Sequence, residues 1–406
     1  MSETPTSIRR YIGLDIHKHY LVAIGVDDDK NQVYGPVKVP NSELQRWIVK
    51  ELCPEDAVVL EMTTNTWAMV DLLEPYVGSV TVVHPPYVHL ITRAQVMTDR
   101  KAALVLAQLH AAGLLPPVWV PPKEVRDLRA LVAQRRKMVS LATQAKNRLQ
   151  SLLHRNNILP LPKKKLYRPE SREWWETLDL SALEHFRVQS DLDTLAFAEH
   201  QVERLTTCLQ YQAANDERMP LLHQLPGIGL INGMTILAAV GDIGRFPSAK
   251  HLVGYAGLGA RVHDSGENRR TGRITKRGRR DLRHAMVEAA HKAARTHPHW
   301  HDEYLKMVKR MSTQKAKVAI ARKLLVAVWH VLTGEEADRF ACPEALASSF
   351  FALAYKLGVR NLPDGVSARQ FTRDQLDRLG VGDEMTHFYH GKKRYTLPPS
   401  RDIHPA

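Results

Sequence analysis

Five short apolar runs in the first quarter of the chain constrain the fold more than any other feature. They cover residues 11–16, 20–26, 33–39, 57–62 and 79–83, and their lengths are typical of strands. Two prolines, Pro85 and Pro86, close the last run, since proline cannot donate a hydrogen bond in a strand ladder. The first three runs follow one another directly, whereas the last two alternate with helical stretches. This order predicts one α/β sheet.

Helices are predicted between and after these strands. The first begins at Ser42, the second covers residues 67–76, and the third runs from a good N-cap at Thr98 to near Gly113. Three strands followed by alternating helices and strands are typical of a sheet of the ribonuclease H (RNase H) kind. We therefore expect an RNase H-like domain at the amino terminus.

A long helix is predicted over residues 122–156, because apolar residues recur there at helical spacing. The nucleic-acid contacts expected on its other faces are Arg129, Arg135, Arg136, Lys146, Arg148 and Arg155. A short basic loop at 163–165 precedes a more acidic helical region from 173 to 217. Its candidate seam residues are Leu178, Leu183, Leu192, Leu195, Val202, Leu205 and Leu209. A coiled-coil linker that spaces domains or joins subunits is expected here.

The positive charge of the chain is concentrated in three segments. The formal net charge of the whole chain is +14, from 57 basic and 43 acidic residues. The excess lies in residues 121–173, 261–283 and 291–323, whereas residues 1–99 are net acidic. Dense basic patches attract polyanions because neutralised phosphates release condensed counterions. We expect nucleic acid as the partner; the alternative is a merely solvated basic face.

Cysteine spacing and hydropathy exclude two further classes of protein. The three cysteines, Cys53, Cys208 and Cys342, lie far apart without a CxxC pattern, so neither a disulfide framework nor a structural zinc site is expected. The most apolar helical stretch, at 318–332, contains two basic residues and is too short to cross a bilayer. We expect a cytoplasmic, nucleoid-associated protein that does not contact membrane.

Three acidic residues occupy positions suited to binding a metal. Asp15 and Glu61 lie at the ends of predicted strands, and Asp99 opens the helix after the last strand. Carboxylates at neighbouring strand ends can converge on Mg²⁺, which then keeps free positions for phosphate oxygens. Each acid alone is also explained as a turn residue, a strand-end cap or a first-turn helix acid. Considered together, they favour a Mg²⁺ site.

Two motifs in the carboxy-terminal half suggest contact with phosphate. The segment Leu-Pro-Gly-Ile-Gly, with Gly227 and Gly229, precedes a helix whose N–H groups can face a phosphate, as in a helix-hairpin-helix. Ser265 precedes a glycine and a run of cations, which suits attack on a phosphodiester. The cations are Arg269, Arg270, Arg273, Lys276, Arg277, Arg279 and Arg283. By chemistry alone, a phosphate-contacting turn remains the alternative for Ser265.

Together these motifs resemble a known family. The segments Gly-Leu-Asp15, Thr98-Asp99-Arg, Leu-Pro-Gly-Ile-Gly, Tyr255-Ala-Gly-Leu and Ile274-Thr-Lys-Arg-Gly are similar to those of DEDD-type transposases of the insertion-sequence one-ten group, which are bridge-RNA-guided serine recombinases. The resemblance implies a RuvC-like amino-terminal domain with metal-binding acids. It also implies a transposase domain whose serine links covalently to DNA, and it assigns catalytic roles to Asp15, Glu61, Asp99 and Ser265.

One departure from the family pattern concerns its fourth acid. The pattern Lys-Thr-Asp-x-x-Asp-Ala has two acids one helical turn apart, but this chain has Ala102 at the second position. Three carboxylates can still hold Mg²⁺ with added waters, but the site lacks one negative charge. Either the site functions with three acids, or the sequence is a decayed copy.

Four segments follow from the motifs and the resemblance. They are a RuvC-like metal-binding domain (1–118), a basic and coiled-coil linker for RNA binding and dimerisation (119–218), a mainly helical transposase domain (219–335), and an extension without an interpretable motif (336–406). The expected function is cutting and rejoining the DNA of an insertion sequence, guided by a structured RNA, in a dimer or tetramer. The alternatives are a metal-dependent junction nuclease without a covalent intermediate and a catalytically decayed nucleic-acid-binding derivative.

Overall fold

The structure is a computed structural model that describes residues 8–86, 98–265 and 268–400, with the backbone alone at 163–164, 262–265 and 268–273. The chain divides into two compact units, Met1–Pro122 and Lys123–Ala406. Among the described residues, no helix combines the length and apolar character needed to span a membrane.

The first unit contains a mixed five-stranded sheet. Its strands are β1 (Arg10–Ile16), β2 (Tyr20–Val26), β3 (Gln32–Pro40), β4 (Asp56–Glu61) and β5 (Ser79–Val83). Their order is β3-β2-β1-β4-β5; β4 is parallel to β1 and β5, while β1, β2 and β3 pair antiparallel. The helices are α1 (Leu44–Glu51), α2 (Thr66–Leu73) and α3 (Asp99–Ala111). The α/β class predicted for this part of the chain is confirmed.

The two faces of this sheet pack against different helices. Ile12 and Leu14 are fully buried. They belong to the same hydrophobic cluster as Trp47 of α1 and Met69 of α2. The opposite face of β1 lies so close to α3 that a Cβ atom on Gly13 would be 2.0 Å from the carbonyl oxygen of Ala103. Glycine is therefore required at position 13 for α3 to lie against β1.

The second unit is mainly helical. Its longer helices are α4 (Lys123–Arg155), α7 (Ala182–Ala214), α9 (Leu230–Val240), α11 (Arg280–Thr296), α12 (Pro298–Val308), α13 (Thr313–Gly334), α14 (Pro343–Leu357) and α15 (Ala368–Arg378). Shorter helices are α5 (Lys163–Leu166), α6 (Arg172–Glu176), α8 (Arg218–His223) and α10 (Ala249–Tyr255). Two hairpins complete it, β6 (Ala260–Ser265) with β7 (Asn268–Ile274), and β8 (His387–His390) with β9 (Lys393–Thr396). The mainly helical character expected of this part is confirmed.

Helices α4 and α7 pack side by side within the chain. Ala142 and Ala145 of α4 lie against Leu195 and Ala198 of α7. Part of the predicted seam is thus buried by the chain's own basic helix, whereas Leu183 is 79% exposed. A role of these helices in dimerisation stays a prediction. The basic loop expected at 163–165 is instead the short helix α5.

One hydrophobic cluster of the second unit reaches from Val132 of α4 to Leu397, near the end of the described chain. Leu237 of α9 and Leu325 of α13 belong to the same hydrophobic cluster as Phe350 of α14, Leu376 of α15 and Phe388 of β8. The segments 219–335 and 336–406 were predicted as separate, but described residues of both belong to this cluster. Side chains far apart in sequence make these contacts, which periodicity cannot reveal.

Candidate active site and nucleic-acid contacts

Asp15 and Asp99 are brought together by the packing of α3 on β1. Thr98 caps α3, its hydroxyl accepting a hydrogen bond from the N–H of Lys101 at 3.3 Å, so Asp99 is the first residue of the helix. Alternate residues of a strand share a face, and Asp15 therefore lies on the same face as Gly13, which α3 covers. The predicted proximity of these two acids is thus explained by one strand and one helix start.

His17 and Tyr20 complete the cluster around the two carboxylates. The Nε2 atom of His17 lies 3.3 Å from an oxygen of Asp15 and 3.3 Å from an oxygen of Asp99. The hydroxyl of Tyr20 donates a hydrogen bond to Asp99 at 2.9 Å. Asp15, His17 and Asp99 each offer a ligand atom, and these atoms lie within 4.8 Å of one another. Neither His17 nor Tyr20 is among the site residues predicted from the sequence, although His17 follows Asp15 by only two residues.

The electrostatics of this cluster favour a bound cation. Burial raises the pKa of Asp15, and the nearby charge of Asp99 raises it further, although His17 opposes the shift. The hydrogen bond to Asp99 raises the pKa of Tyr20. Two carboxylates held together in a partly buried position are costly without a positive charge between them. The donor set therefore fits a divalent cation.

Glu61 approaches this site along the neighbouring strand. Leu14 and Leu60 are Cα partners in the parallel pair β1–β4, and Asp15 and Glu61 each follow by one residue. Val59, two residues before Glu61, packs against α3, so Glu61 lies on the face that α3 covers. Among the described residues, Glu61 is not part of the group within 4.8 Å. Its expected role as a ligand stays a prediction.

Ser265 lies at the turn end of the β6–β7 hairpin. It is the last residue of β6, and its backbone pairs with Asn268 at the start of β7. Residues 266 and 267, which join the two strands, lie outside the described residues, as do the side chains from 262 to 273. That range includes the side chains of Ser265 itself and of Arg269, Arg270 and Arg273, whose predicted roles therefore rest on the sequence.

The base of this hairpin is held by backbone hydrogen bonds between two sequence motifs. The N–H groups of Thr275 and Arg279 donate to the carbonyls of Gly259 and Tyr255 at 2.9 Å and 2.8 Å. The side chain of Arg283 donates to the carbonyl of Ala256 at 2.8 Å. Arg279 pairs with Asp281. The Arg279 backbone and the Arg283 side chain thus hold the segment that leads into the hairpin, whereas Lys276 and Arg277 are exposed to solvent.

The two glycines of the Leu-Pro-Gly-Ile-Gly segment have different surroundings. Gly227 has φ +86°, and a Cβ atom there would lie 2.2 Å from the carbonyl oxygen of Ala289 in α11. A Cβ atom on Gly229 would meet no atom within 4 Å. Gly227 therefore permits close packing of the loop on α11, while Gly229 leaves space at the start of α9.

A small cavity of about 260 Å³ adjoins this loop. Lys292 and Lys356 line it, and burial together with the charge of Lys292 lowers the pKa of Lys356. His223 also lines it, and burial lowers the pKa of His223 to about 4, which keeps its ring neutral at pH 7. Two lysines, Asp338 and Gly229 thus line the cavity, whose charged side chains are of both signs.

The cations predicted on α4 differ in whether they are free to bind nucleic acid or are bound by other parts of the chain. Arg129 donates to the carbonyls of Ala238 and Ala239 at the end of α9, at 2.7 Å and 3.1 Å. Three more bind side chains of α7: Arg135 binds Thr206, Lys146 binds Glu199 and Arg148 binds Asp191. Arg136 and Arg155 are exposed. The sequence alone could not separate the bound cations from the exposed ones, because the partners of the bound cations lie far away along the chain.

Comparison with known proteins identifies the family of the chain. Residues 219–305 match a family model described as "Transposase IS116/IS110/IS902 family", and residues 12–158 match a transposase model of the DEDD IS110 type. The chain belongs to the IS110 family of transposases. The resemblance stated from the sequence motifs is thereby confirmed.

Relatives of this IS110-family transposase cover most of its length. The pilin gene-inverting protein of Moraxella bovis is 28% identical over 341 residues, which cover 80% of this chain and 96% of the relative. The corresponding protein of Moraxella lacunata is 28% identical over 344 residues, with the same coverage. The transposase for insertion sequence element IS1111A of Coxiella burnetii is 26% identical over 258 residues, covering 59% of this chain and 68% of the relative.

The family assignment indicates a function for the acidic cluster. A DEDD-type transposase domain implies a divalent metal, and Asp15, His17 and Asp99 form a group that can bind one. Transposases act on DNA, which is consistent with DNA as a partner of this chain. Ala102 lies one helical turn after Asp99 in α3, at the place of the fourth acid, where the chain offers no carboxylate.

Proposed function

We propose that this transposase cuts and rejoins the DNA of an insertion sequence through Ser265, with a Mg²⁺ site formed by Asp15, Asp99 and Glu61. The observation that carries the proposal is the convergence of Asp15, His17 and Asp99 within 4.8 Å in a chain of the IS110 family. Ser265 is the last residue of β6, and a run of cations follows it in the sequence. This supports its part in the reaction, because cations stabilise the charge that develops on a phosphate under attack.

The proposed reaction at Ser265 is a pair of phosphoryl transfers. The Ser265 hydroxyl loses its proton and its oxygen bonds to phosphorus, while the bond from phosphorus to one DNA oxygen breaks and that oxygen takes up a proton. The hydroxyl of another DNA end later loses its proton and its oxygen bonds to the same phosphorus, while the bond from phosphorus to the Ser265 oxygen breaks and that oxygen takes up a proton. No phosphodiester is lost, so the reaction needs no energy source.

The acidic cluster and the Ser265 hairpin have different roles in the proposed reaction. Asp15 and Asp99 supply charged oxygens, and Glu61 adds a third carboxylate from β4. A bound Mg²⁺ would neutralise charge on phosphate oxygens. His17 contacts the same two carboxylates, since its Nε2 lies 3.3 Å from an oxygen of each. The exposed Lys276 and Arg277 can bind the phosphates that flank Ser265.

The experiment that tests this function is a strand-exchange assay. The full chain is incubated with DNA that carries the sequences flanking its gene, with Mg²⁺ and with or without RNA transcribed from those flanks. Joined DNA ends are expected only with the intact chain and the metal, and are detected by amplification across the junction. Junctions that form equally well in excess chelator would contradict the metal-dependent proposal.

We also propose that a structured guide RNA binds the exposed cations of α4. Replacing Arg136 and Arg155 with glutamine is expected to weaken RNA binding and to lower the slope of log affinity against log salt by about 1.5, since each lost phosphate contact removes about 0.7–0.9. Filter binding over a series of salt concentrations measures this slope.

Arg129→Gln serves as the matched control. Arg129 binds carbonyls of α9, so its replacement is expected to lower the melting temperature while leaving the salt slope unchanged. An unchanged slope in the Arg136→Gln/Arg155→Gln variant would place the RNA elsewhere and make this face of α4 a solvated one.

A further inference from the structure

The β8–β9 hairpin near the carboxy terminus lies beyond both segments that match the family models. One of its faces is fixed to the core. Phe388 is 1% exposed and packs against Phe351 of α14, with ring centroids 5.2 Å apart. The ring of His390 shares a hydrogen bond with the hydroxyl of Ser348 in α14, at 2.9 Å. These contacts hold the hairpin against α14.

The opposite face of the hairpin presents an unburied aromatic ring beside a cation. Tyr389 is 59% exposed, and its cross-strand partner is Arg394. Paired residues of an antiparallel hairpin point to the same face. The ring of His387 lies 6.0 Å from that of Tyr389, so the exposed face carries two aromatic rings and a guanidinium.

The turn of the hairpin adds two more cations. Gly391, with φ +61°, opens a two-residue turn in which Lys392 lies at the tip. Lys393 follows, and because its cross-strand partner is His390, it starts from the face opposite to Tyr389. Both lysines and Arg394 are exposed, and none of the three forms an ion pair with another described residue. Residues 387–396 contain no aspartate or glutamate. The hairpin thus offers unneutralised positive charge beside an exposed ring.

We propose that this hairpin binds single-stranded nucleic acid, with Tyr389 stacked on a base and the three cations bound to phosphates. A tyrosine ring stacks on any base whose face is unpaired, and adjacent cations follow the backbone. Duplex bases are already stacked on one another, so the ring selects unpaired strands. RNA and single-stranded DNA share this chemistry. The inference concerns binding, so it stands or falls independently of the role of Ser265.

The test uses the full chain and fluorescence anisotropy with labelled oligothymidine, oligouridine and a DNA duplex. Tyr389→Ala is expected to weaken single-strand binding about tenfold, whereas Tyr389→Phe, which keeps the ring, is expected to bind normally. Replacing the three cations Lys392, Lys393 and Arg394 with glutamine is expected to lower the salt slope by about 2. Comparison of oligouridine with oligothymidine distinguishes RNA from DNA as the preferred strand.

Two control variants match these changes in exposure and charge. Tyr211 on α7 is 58% exposed, and Tyr211→Ala is expected to leave binding unchanged. Lys30, Arg46 and Lys50 are exposed in the first unit, and their replacement with glutamine removes the same charge. A second readout is photo-crosslinking of oligouridine that contains 4-thiouridine, which should label the peptide 387–396.

Specific outcomes would overturn the inference. The hairpin is not a binding site if its variants match their controls in affinity and salt slope and the peptide 387–396 is not labelled. Equal loss of duplex and single-strand binding in Tyr389→Ala would contradict base stacking. Because Tyr389 and the three cations are exposed, these substitutions leave the packed core intact, and unchanged melting temperatures confirm that the variants are folded.

Discussion

Replacing Ser265 with alanine is expected to eliminate the covalent protein–DNA adduct and to reduce strand transfer at least about 1,000-fold, because the attacking oxygen is removed. DNA binding is expected to remain. The adduct is measured by denaturing electrophoresis of labelled DNA after incubation with Mg²⁺, and binding by gel shift. Ser265→Cys keeps a nucleophile of different size and is expected to form some adduct.

A serine that only contacts phosphate would behave differently. Its replacement with alanine would cost about 0.5–1.5 kcal/mol of binding, a change of roughly two- to twelvefold, and catalysis would remain measurable. The two outcomes therefore differ by orders of magnitude. Strand cleavage by Ser265→Ala at a rate near that of the parent chain would refute the covalent mechanism and favour a metal-dependent nuclease.

Asp15→Asn and Asp99→Asn are each expected to weaken divalent-cation binding by at least about 100-fold and to abolish strand cleavage. Each change removes one of the two carboxylates of the cluster, and loss of even an indirect partner of a metal costs 10–100-fold. Titration calorimetry with Mg²⁺ and Mn²⁺ measures the affinity, and a labelled DNA substrate reports cleavage. DNA binding is expected to persist, since lost carboxylates also remove repulsion.

The control for these variants is Asp29→Asn, which changes an exposed acid in the turn between β2 and β3. It is expected to bind cations and to cut DNA like the parent chain. Glu61→Gln tests the third proposed ligand by the same two measurements. If Asp15→Asn and Asp99→Asn both retain cation affinity, the cluster is not the metal site.

Thermal stability gives the acidic cluster a second, metal-free readout. Burial and Asp99 raise the pKa of Asp15, so the folded state disfavours its charge, and stability falls as the pH rises through that pKa. Without metal, Asp15→Asn is therefore expected to melt at a higher temperature than the parent at pH 7. The difference should disappear below about pH 3.9, where Asp15 is protonated in both states.

Ala102→Asp tests the missing fourth acid. The new carboxylate would lie one helical turn after Asp99 on α3, and we expect it to raise cation affinity in the calorimetric titration. A parallel rise in cleavage would mean that the natural site is a weakened four-acid site. Loss of cleavage would mean that the three-acid arrangement is native to this chain.

Local elements of the fold were predictable from the sequence. The strands of the first unit lie within two residues of their predicted positions, and Thr98 caps α3 as expected. Apolar spacing and capping residues act over a few positions, so their physics is contained in short stretches of chain. The same is true of α4, predicted at 122–156 and observed at Lys123–Arg155.

The sequence by itself determined where the acids lie on their elements, because Asp15 is near the end of an apolar strand and Asp99 follows an N-cap. Only the tertiary structure decided that His17 contacts both carboxylates, since that contact depends on how closely α3 packs on Gly13. It also decided that Arg129 binds α9 whereas Arg136 faces solvent. Both arginines lie on the same basic helix and were predicted to make the same kind of contact. They differ because the partner of Arg129 lies far away along the chain.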